Sequence, residues 1–168
     1  DTGVAAAAAA AVGAHTEMAG HAVQEGSNDM VEVPEGDAIV PALNQLAARA
    51  QLRIGSKDAH SPQAAWVVPE HAQMLQPLPL ANADLTWVSH CVPGTPGFEL
   101  LDELPQPLDY DYFVWKGVEP DLHPYGACYH DLAERRSTGV IEYLTVQQVG
   151  AVIVGGREID GPGTDRGA

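Results

Sequence analysis

This 168-residue chain is short of cysteine and of positive charge, and each shortage excludes something. Its two cysteines, Cys91 and Cys128, are too few and too far apart for a disulfide framework and fit a reducing compartment. Eight basic residues stand against 23 acidic ones, a formal net charge of −15. Such a balance repels phosphate backbones and anionic lipid, so neither a nucleic acid nor a membrane is expected as a partner. No apolar run approaches the roughly 20 residues of a membrane span. The start, "DTGVAAAAAAAVGAH", opens on an acid and has no basic flank before its apolar run. It does not read as a signal or transit peptide, and a cytoplasmic location is the expectation.

What is there alternates between strand and helix patterns, without repeats. Residues 4–12 are nearly all alanine, which suits a helix in isolation but also a buried central strand; a strand is expected. Residues 15–32 are polar and Gly-rich, a loop with an insertion. "VPEGDAIVPALNQLAARA" predicts a helix capped by Asp37, with Ile39, Leu43, Leu46, Ala47 and Ala50 on one face. Leu52 and Ile54 begin a strand that runs into "GSKDAH", and residues 62–107 read as loop. "YDYFVWKG" is a second strand, "RRSTGVIEYLTVQQVG" a helix from Ser137 or Thr138 with Val140, Ile141 and Leu144 inward, and "AVIVGG" a buried strand. The pattern predicts an α/β fold: a Rossmann-like parallel sheet with helices on both faces, one domain over residues 1–155 and a Gly-rich tail over 156–168. Such sheets bind ligands beyond the carboxyl ends of their strands, which places "SKDAH", "WKG" and "VGG" at one rim.

At that rim Asp58 and His60, two apart on an extended segment, point the same way and can grip one cation. His90, in "WVSHCVPGTPGFE", is a donor from a distant loop, although a histidine entering a Pro-Gly run is by itself an ordinary loop residue. Asp plus two His suits a divalent metal, zinc first, with iron or manganese as the alternatives. His71, His123 and His130 are fourth-ligand candidates by residue type alone, and each reads as a surface histidine.

The blocks "VEVPEGDAIVPALNQLAAR", "KDAH", "WVSHCVPGTPG", "FVWKGVEPDLHPYGA" and "RRSTGVIEYL" resemble, in order and spacing, the nicotinamidases and pyrazinamidases of the isochorismatase-like hydrolases. The resemblance covers residues 31–155. It implies a divalent metal on Asp58, His60 and His90, a pocket for a nicotinamide-like aromatic ligand lined by Trp87, to which Tyr125 is added here as a second candidate, and hydrolysis of nicotinamide to nicotinate and ammonia. That chemistry uses a Cys–Asp–Lys triad, in which a thiolate attacks the amide carbon and the carboxylate passes the proton to the departing ammonia. Lys116 matches the family lysine.

The other two members do not match. The family aspartate falls on Gly13 and the family cysteine on Gly161, and Cys91 and Cys128 stand elsewhere in the pattern. Glu17 and Asp29 are the nearest carboxylates in the inserted loop. The resemblance also leads one to expect further elements after "VGG", so the last strand is expected at an edge, incompletely covered and in need of a second copy or a partner chain. The reading that follows is a relative that keeps a metal site and has lost catalysis. An active metal-dependent amidohydrolase and a structural or nonfunctional remnant are the alternatives.

Overall fold

A computed structural model of the chain describes residues 8–14 and 36–157. Six strands follow in chain order: β1 (Ala8–Ala14), β2 (Leu52–Asp58), β3 (Val67–Val68), β4 (Trp87–Val88), β5 (Tyr112–Lys116) and β6 (Ala151–Arg157). Two α-helices, α1 (Val40–Ala47) and α2 (Val140–Val146), separate them. Strands β5, β2, β1 and β6 form, in that order, one parallel sheet, and β3 pairs with β4 in a second, also parallel. The chain moves outward from β1 through β2 to β5 and then returns to the far side of β1, so the sheet changes direction at β1. The crevice beyond the strand ends at such a point is where open α/β sheets take ligands.

The expected α/β architecture with helices on both faces is present, and the register shows how. Ile54 aligns with Tyr112, Ser56 with Val114 and Asp58 with Lys116. These residues share one face, because in-register neighbours of a parallel sheet point the same way. Ile54 and Val114 are buried against Val140 of α2, with Tyr143 and Leu144 alongside. The opposite face carries Gly55, Phe113 and, across β1, Gly155. There a β-carbon on Gly155 would fall on Leu43 of α1, so α1 packs close against that strand. Val40 and Leu43 bury themselves with Leu104, each contributing about 1.5–3 kcal/mol by burial.

Several boundaries differ from expectation for identifiable reasons. The α1 helix starts at Val40 after a 3-10 turn over Gly36–Ile39; Ile39 is its N-cap, without a side-chain cap, so Asp37 is not the cap. Pro41 lies in the first turn, where its missing N–H costs nothing and its fixed φ favours helix. The α2 helix begins at Val140, because Gly139 ahead of it has φ +88°, and a β-carbon there would meet the Tyr112 hydroxyl. That hydroxyl donates to the Thr138 carbonyl at 2.8 Å, tying the turn to β5. With Val140 on the sheet, the i, i+3, i+4 spacing turns Tyr143 and Leu144 inward and rotates Ile141 out, where it is exposed.

The loop region 62–107 contains the short β3–β4 pair, and "AVIVGG" extends through Arg157, two residues into the expected tail. Among the described residues β6 is an edge strand, exposed rather than buried, with Val154 at 73%, Val152 at 46% and Ile153 at 44%. The remaining tail, the inserted loop with Glu17 and Asp29, and residues 4–7 of the first strand's expected span lie outside the described residues. Among those described, no helix is long and apolar enough to cross a membrane.

Candidate metal centre

Strand β2 delivers its last residues to the rim, and three backbone bonds hold the exit in place. Ala59 N–H donates to the Lys116 carbonyl at 2.9 Å, joining the ends of β2 and β5. His60 N–H donates to the Cys91 carbonyl at 3.0 Å, joining β2 to the loop that carries His90. On the far side, Ala65 N–H reaches the Pro120 carbonyl at 2.8 Å. His60 and His90, from segments thirty residues apart in the chain, are thereby brought to ring centroids 4.7 Å apart, both buried.

Both rings have their tautomer set by backbone. His60 Nδ1 lies 3.1 Å from the Gly117 carbonyl and His90 Nδ1 lies 2.8 Å from the Val88 carbonyl. A carbonyl only accepts, so in each ring Nδ1 carries the proton and donates, and the neutral ring keeps its lone pair on Nε2. This is the arrangement that orients metal-binding imidazoles.

A third imidazole joins them. His123 is expected at the surface by residue type, but it is 4% exposed. Two bonds fix it: Trp66 Nε1 donates to the neighbouring Leu122 carbonyl at 2.9 Å, and His123 N–H donates to the Asn82 carbonyl at 2.8 Å. Burial, reinforced by the charges of His60 and His90, holds His123 well below the usual imidazole range, so its ring is neutral at pH 7. Among the described residues neither of its ring nitrogens has a hydrogen-bond partner. Leaving a buried polar group unsatisfied costs about 1–3 kcal/mol. One ligand atom from each of His60, His90 and His123 lies within 4.8 Å of the others. Three buried imidazoles with their ligand atoms gathered this closely, one with unsatisfied nitrogens, fit a borderline divalent cation well.

Asp58 and Lys116 sit beside this cluster as a buried pair. Lys116 Nζ donates to Asp58 Oδ1 and, at 3.1 Å, to the Pro124 carbonyl. His60 Nε2 is 3.8 Å from the same Asp58 oxygen. Lys116 is therefore not a solvated surface lysine but an interior one held by a carboxylate and a carbonyl. Trp87 is buried 6.0 Å from His90 between centroids, and its indole N–H has no partner among the described residues. Tyr125 sets its ring edge-on to His123 at 5.2 Å and donates its hydroxyl to Asp84 at 2.7 Å. The rim thus gathers Asp58, His60, His90, Trp87, Lys116 and Tyr125 in one region. His71 is exposed and His130 half-buried, and neither belongs to the histidine cluster.

Sequence reasoning names His123 only by residue type, as a surface histidine, and does not name Trp66. Trp66 is fully buried and stands edge-on to both His60 and His123, at 4.8 and 4.4 Å. Its place six residues after His60 carries no local signal. Gly13, at the position matched to the family aspartate, lies within β1 in register with Ser56, on the face that carries Asp58 and Lys116. Ser56 is buried, and its hydroxyl has no partner among the described residues. Gly161, matched to the family cysteine, lies outside the described residues.

Comparison with known proteins identifies the fold. No protein-family model and no curated protein sequence matches the chain. Solved structures do. A nicotinamidase/pyrazinamidase of Acinetobacter baumanii superposes with a TM-score of 0.70 at 22% identity, over 89% of this chain and 69% of that one. The pyrazinamidase of Pyrococcus horikoshii, solved in complex with zinc, gives 0.58 at 22% over 90% and 70%. The yeast nicotinamidase bound to the inhibitor nicotinaldehyde gives 0.63 at 18% over 90% and 74%. The chain is an α/β protein of the doubly wound class, and within that class it has the nicotinamidase fold.

Proposed function

We propose that the chain is a metal-binding relative of the nicotinamidases in which amide hydrolysis is lost. The observation that carries this is the convergence of buried imidazoles, two of them oriented by backbone carbonyls. His60 and His90 would hold a divalent ion, zinc first by donor type, with a third donor from the same cluster. When bound, the ion would polarise a donor atom of a ligand as a Lewis acid.

The chain's own residues supply the rest of the site. Trp66 packs edge-on against the cluster. Trp87 offers a flat wall and an indole N–H, and Tyr125 a second ring, which suits a small aromatic ligand of the nicotinamide kind carrying a hydrogen-bond acceptor. Lys116 is held beside the cluster by Asp58. A nucleophile is what is missing. The positions matched to the aspartate and cysteine of the hydrolytic triad are Gly13 and Gly161, and neither can accept a proton or attack a carbonyl.

The test is metal content and turnover of the purified protein. One zinc per chain with no ammonia released from nicotinamide is the expected result; release that scales with added protein overturns the loss of hydrolysis. The buried Asp58–Lys116 pair favours one second reading, a metal-dependent amidohydrolase without a thiol. Turnover that chelation abolishes would establish it. The exposed apolar side chains of β6 are where a second copy or partner chain would sit, and sedimentation of the wild type against Val154→Lys reads this directly.

A further inference from the structure

The rim holds two candidates for the third metal donor, and they differ in what already engages them. Asp58 is 2% exposed, and one of its oxygens accepts from Lys116 and stands 3.8 Å from His60 Nε2. It thus balances a buried lysine. Taking it for a cation would leave that lysine's charge less well compensated, and breaking a buried pair is strongly destabilising. His123 has the opposite situation: it is buried, and its two ring nitrogens have no hydrogen-bond partner among the described residues. Its ligand atom lies with those of His60 and His90 inside 4.8 Å.

The ring of His123 also occupies a particular place. It runs nearly parallel to His60, with 5.1 Å between centroids and 20° between planes, and nearly parallel to Trp87, at 5.4 Å and 15°. Trp66 and Tyr125 meet it edge-on, at 4.4 and 5.2 Å. The flat face of Trp87 with edge contacts at the sides makes a slot for one planar heteroaromatic ring. The ring in that slot belongs to the chain itself.

We propose that His123 is the third ligand of the metal centre, that its imidazole fills the aromatic slot against Trp87, and that Asp58 is left to pair with Lys116. This rests on the metal reading given above. The site is then closed by its own N-heterocycle, and an external aromatic ring reaches the metal there only by displacing His123.

Zinc titration of the full chain by calorimetry tests this, with Co(II) absorption as a second readout. His123→Ala is expected to weaken zinc binding at least about 100-fold, since loss of a group that only orients a ligand already costs 10–100-fold. Added imidazole should restore both the affinity and the Co(II) spectrum by entering the slot. The double variant Asp58→Asn/Lys116→Met, which removes the ion pair as a unit, is expected to bind zinc within about threefold of wild type, a shift well under one power of ten in affinity. Nitrogen-15 spectra of the zinc-loaded wild type, labelled in histidine, should show three metal-bound ring nitrogens, a count that depends on no variant folding. Two bound imidazoles, or zinc binding lost in the double variant and kept in His123→Ala, overturns the proposal while leaving a metal site. No binding of zinc by the wild type overturns the metal reading and this assignment together.

Discussion

Gly117 shows how a single missing side chain positions the site. It follows Lys116 with φ +71°, a conformation that disfavours any residue with a β-carbon, and a β-carbon built there would fall on the His60 ring. Its carbonyl also receives the His60 Nδ1 proton. Gly117→Ala is therefore expected to push His60 from the cluster, with a stability loss of about 1–3 kcal/mol and a zinc affinity at least about tenfold weaker; calorimetry and thermal melts read the two effects separately. The Asp58–Lys116 pair makes a second residue-scale case. Asp58→Asn or Lys116→Met alone leaves a buried charge and is expected to cost about 3–5 kcal/mol, whereas the double variant should cost far less, because the desolvation of both charges is then removed. A double-mutant cycle in urea measures the difference, and additive losses would mean that the pair is not coupled. Lys116 and His60 were legible at this scale because they end strand patterns. His123 was not, since nothing in "EPDLHPYG" distinguishes a histidine that enters the interior from one that faces solvent.

The two α-helices differ in how far their sequences specify them. In α2, "VIEYL" offers Val140, Ile141 and Leu144 as equally apolar, and the starting point selects which of them packs. Gly139 ahead of Val140, with the Ser137 hydroxyl accepting from its N–H at 3.0 Å and donating to Glu142 at 2.6 Å, sets that start. Val140→Ala is then expected to cost about 1–2.5 kcal/mol, as lost core methyls do, while Ile141→Ala should stay within about 0.5 kcal/mol, as an exposed change does. Denaturant midpoints at equal m-value compare them, and an equal loss at both positions would contradict the observed rotation. For α1, Pro41 marked the first turn more reliably than Asp37, since the ring's fixed φ acts in every context whereas a carboxylate caps only if the backbone brings an N–H to it. The β3–β4 pair had no readable signal: two residues each are too few for a period, and their pairing is parallel across nearly twenty residues of loop.

On the scale of the whole molecule, the opposite face of the sheet carries a buried cation whose energetics depend on pH. Lys57 lies over the Phe98 ring at 3.5 Å and donates to the Phe98 carbonyl. Burial lowers its pKa to about 8, against smaller upward effects of Cys91 and Glu99. Between that value and the ordinary lysine value, the unfolded chain binds more protons than the folded one, so this group's contribution to stability rises with pH across the window from 8 to 10. Tyr110, held above its usual range mainly by burial, acts in the opposite direction at higher pH, so the comparison must be a difference. The melting temperature of Lys57→Met minus that of wild type is expected to shrink as pH increases from 8 to 10, and a constant difference would show that Lys57 titrates normally. What the sequence by itself determined was the order of strands and helices, the parallel sheet and the rim, because apolar periodicity, Pro and Gly act locally and need no partner. The tertiary structure alone decided which histidines meet, which carboxylate is bound to the lysine and which face of α2 packs. Those outcomes depend on contacts between residues tens of positions apart, which local pattern does not encode.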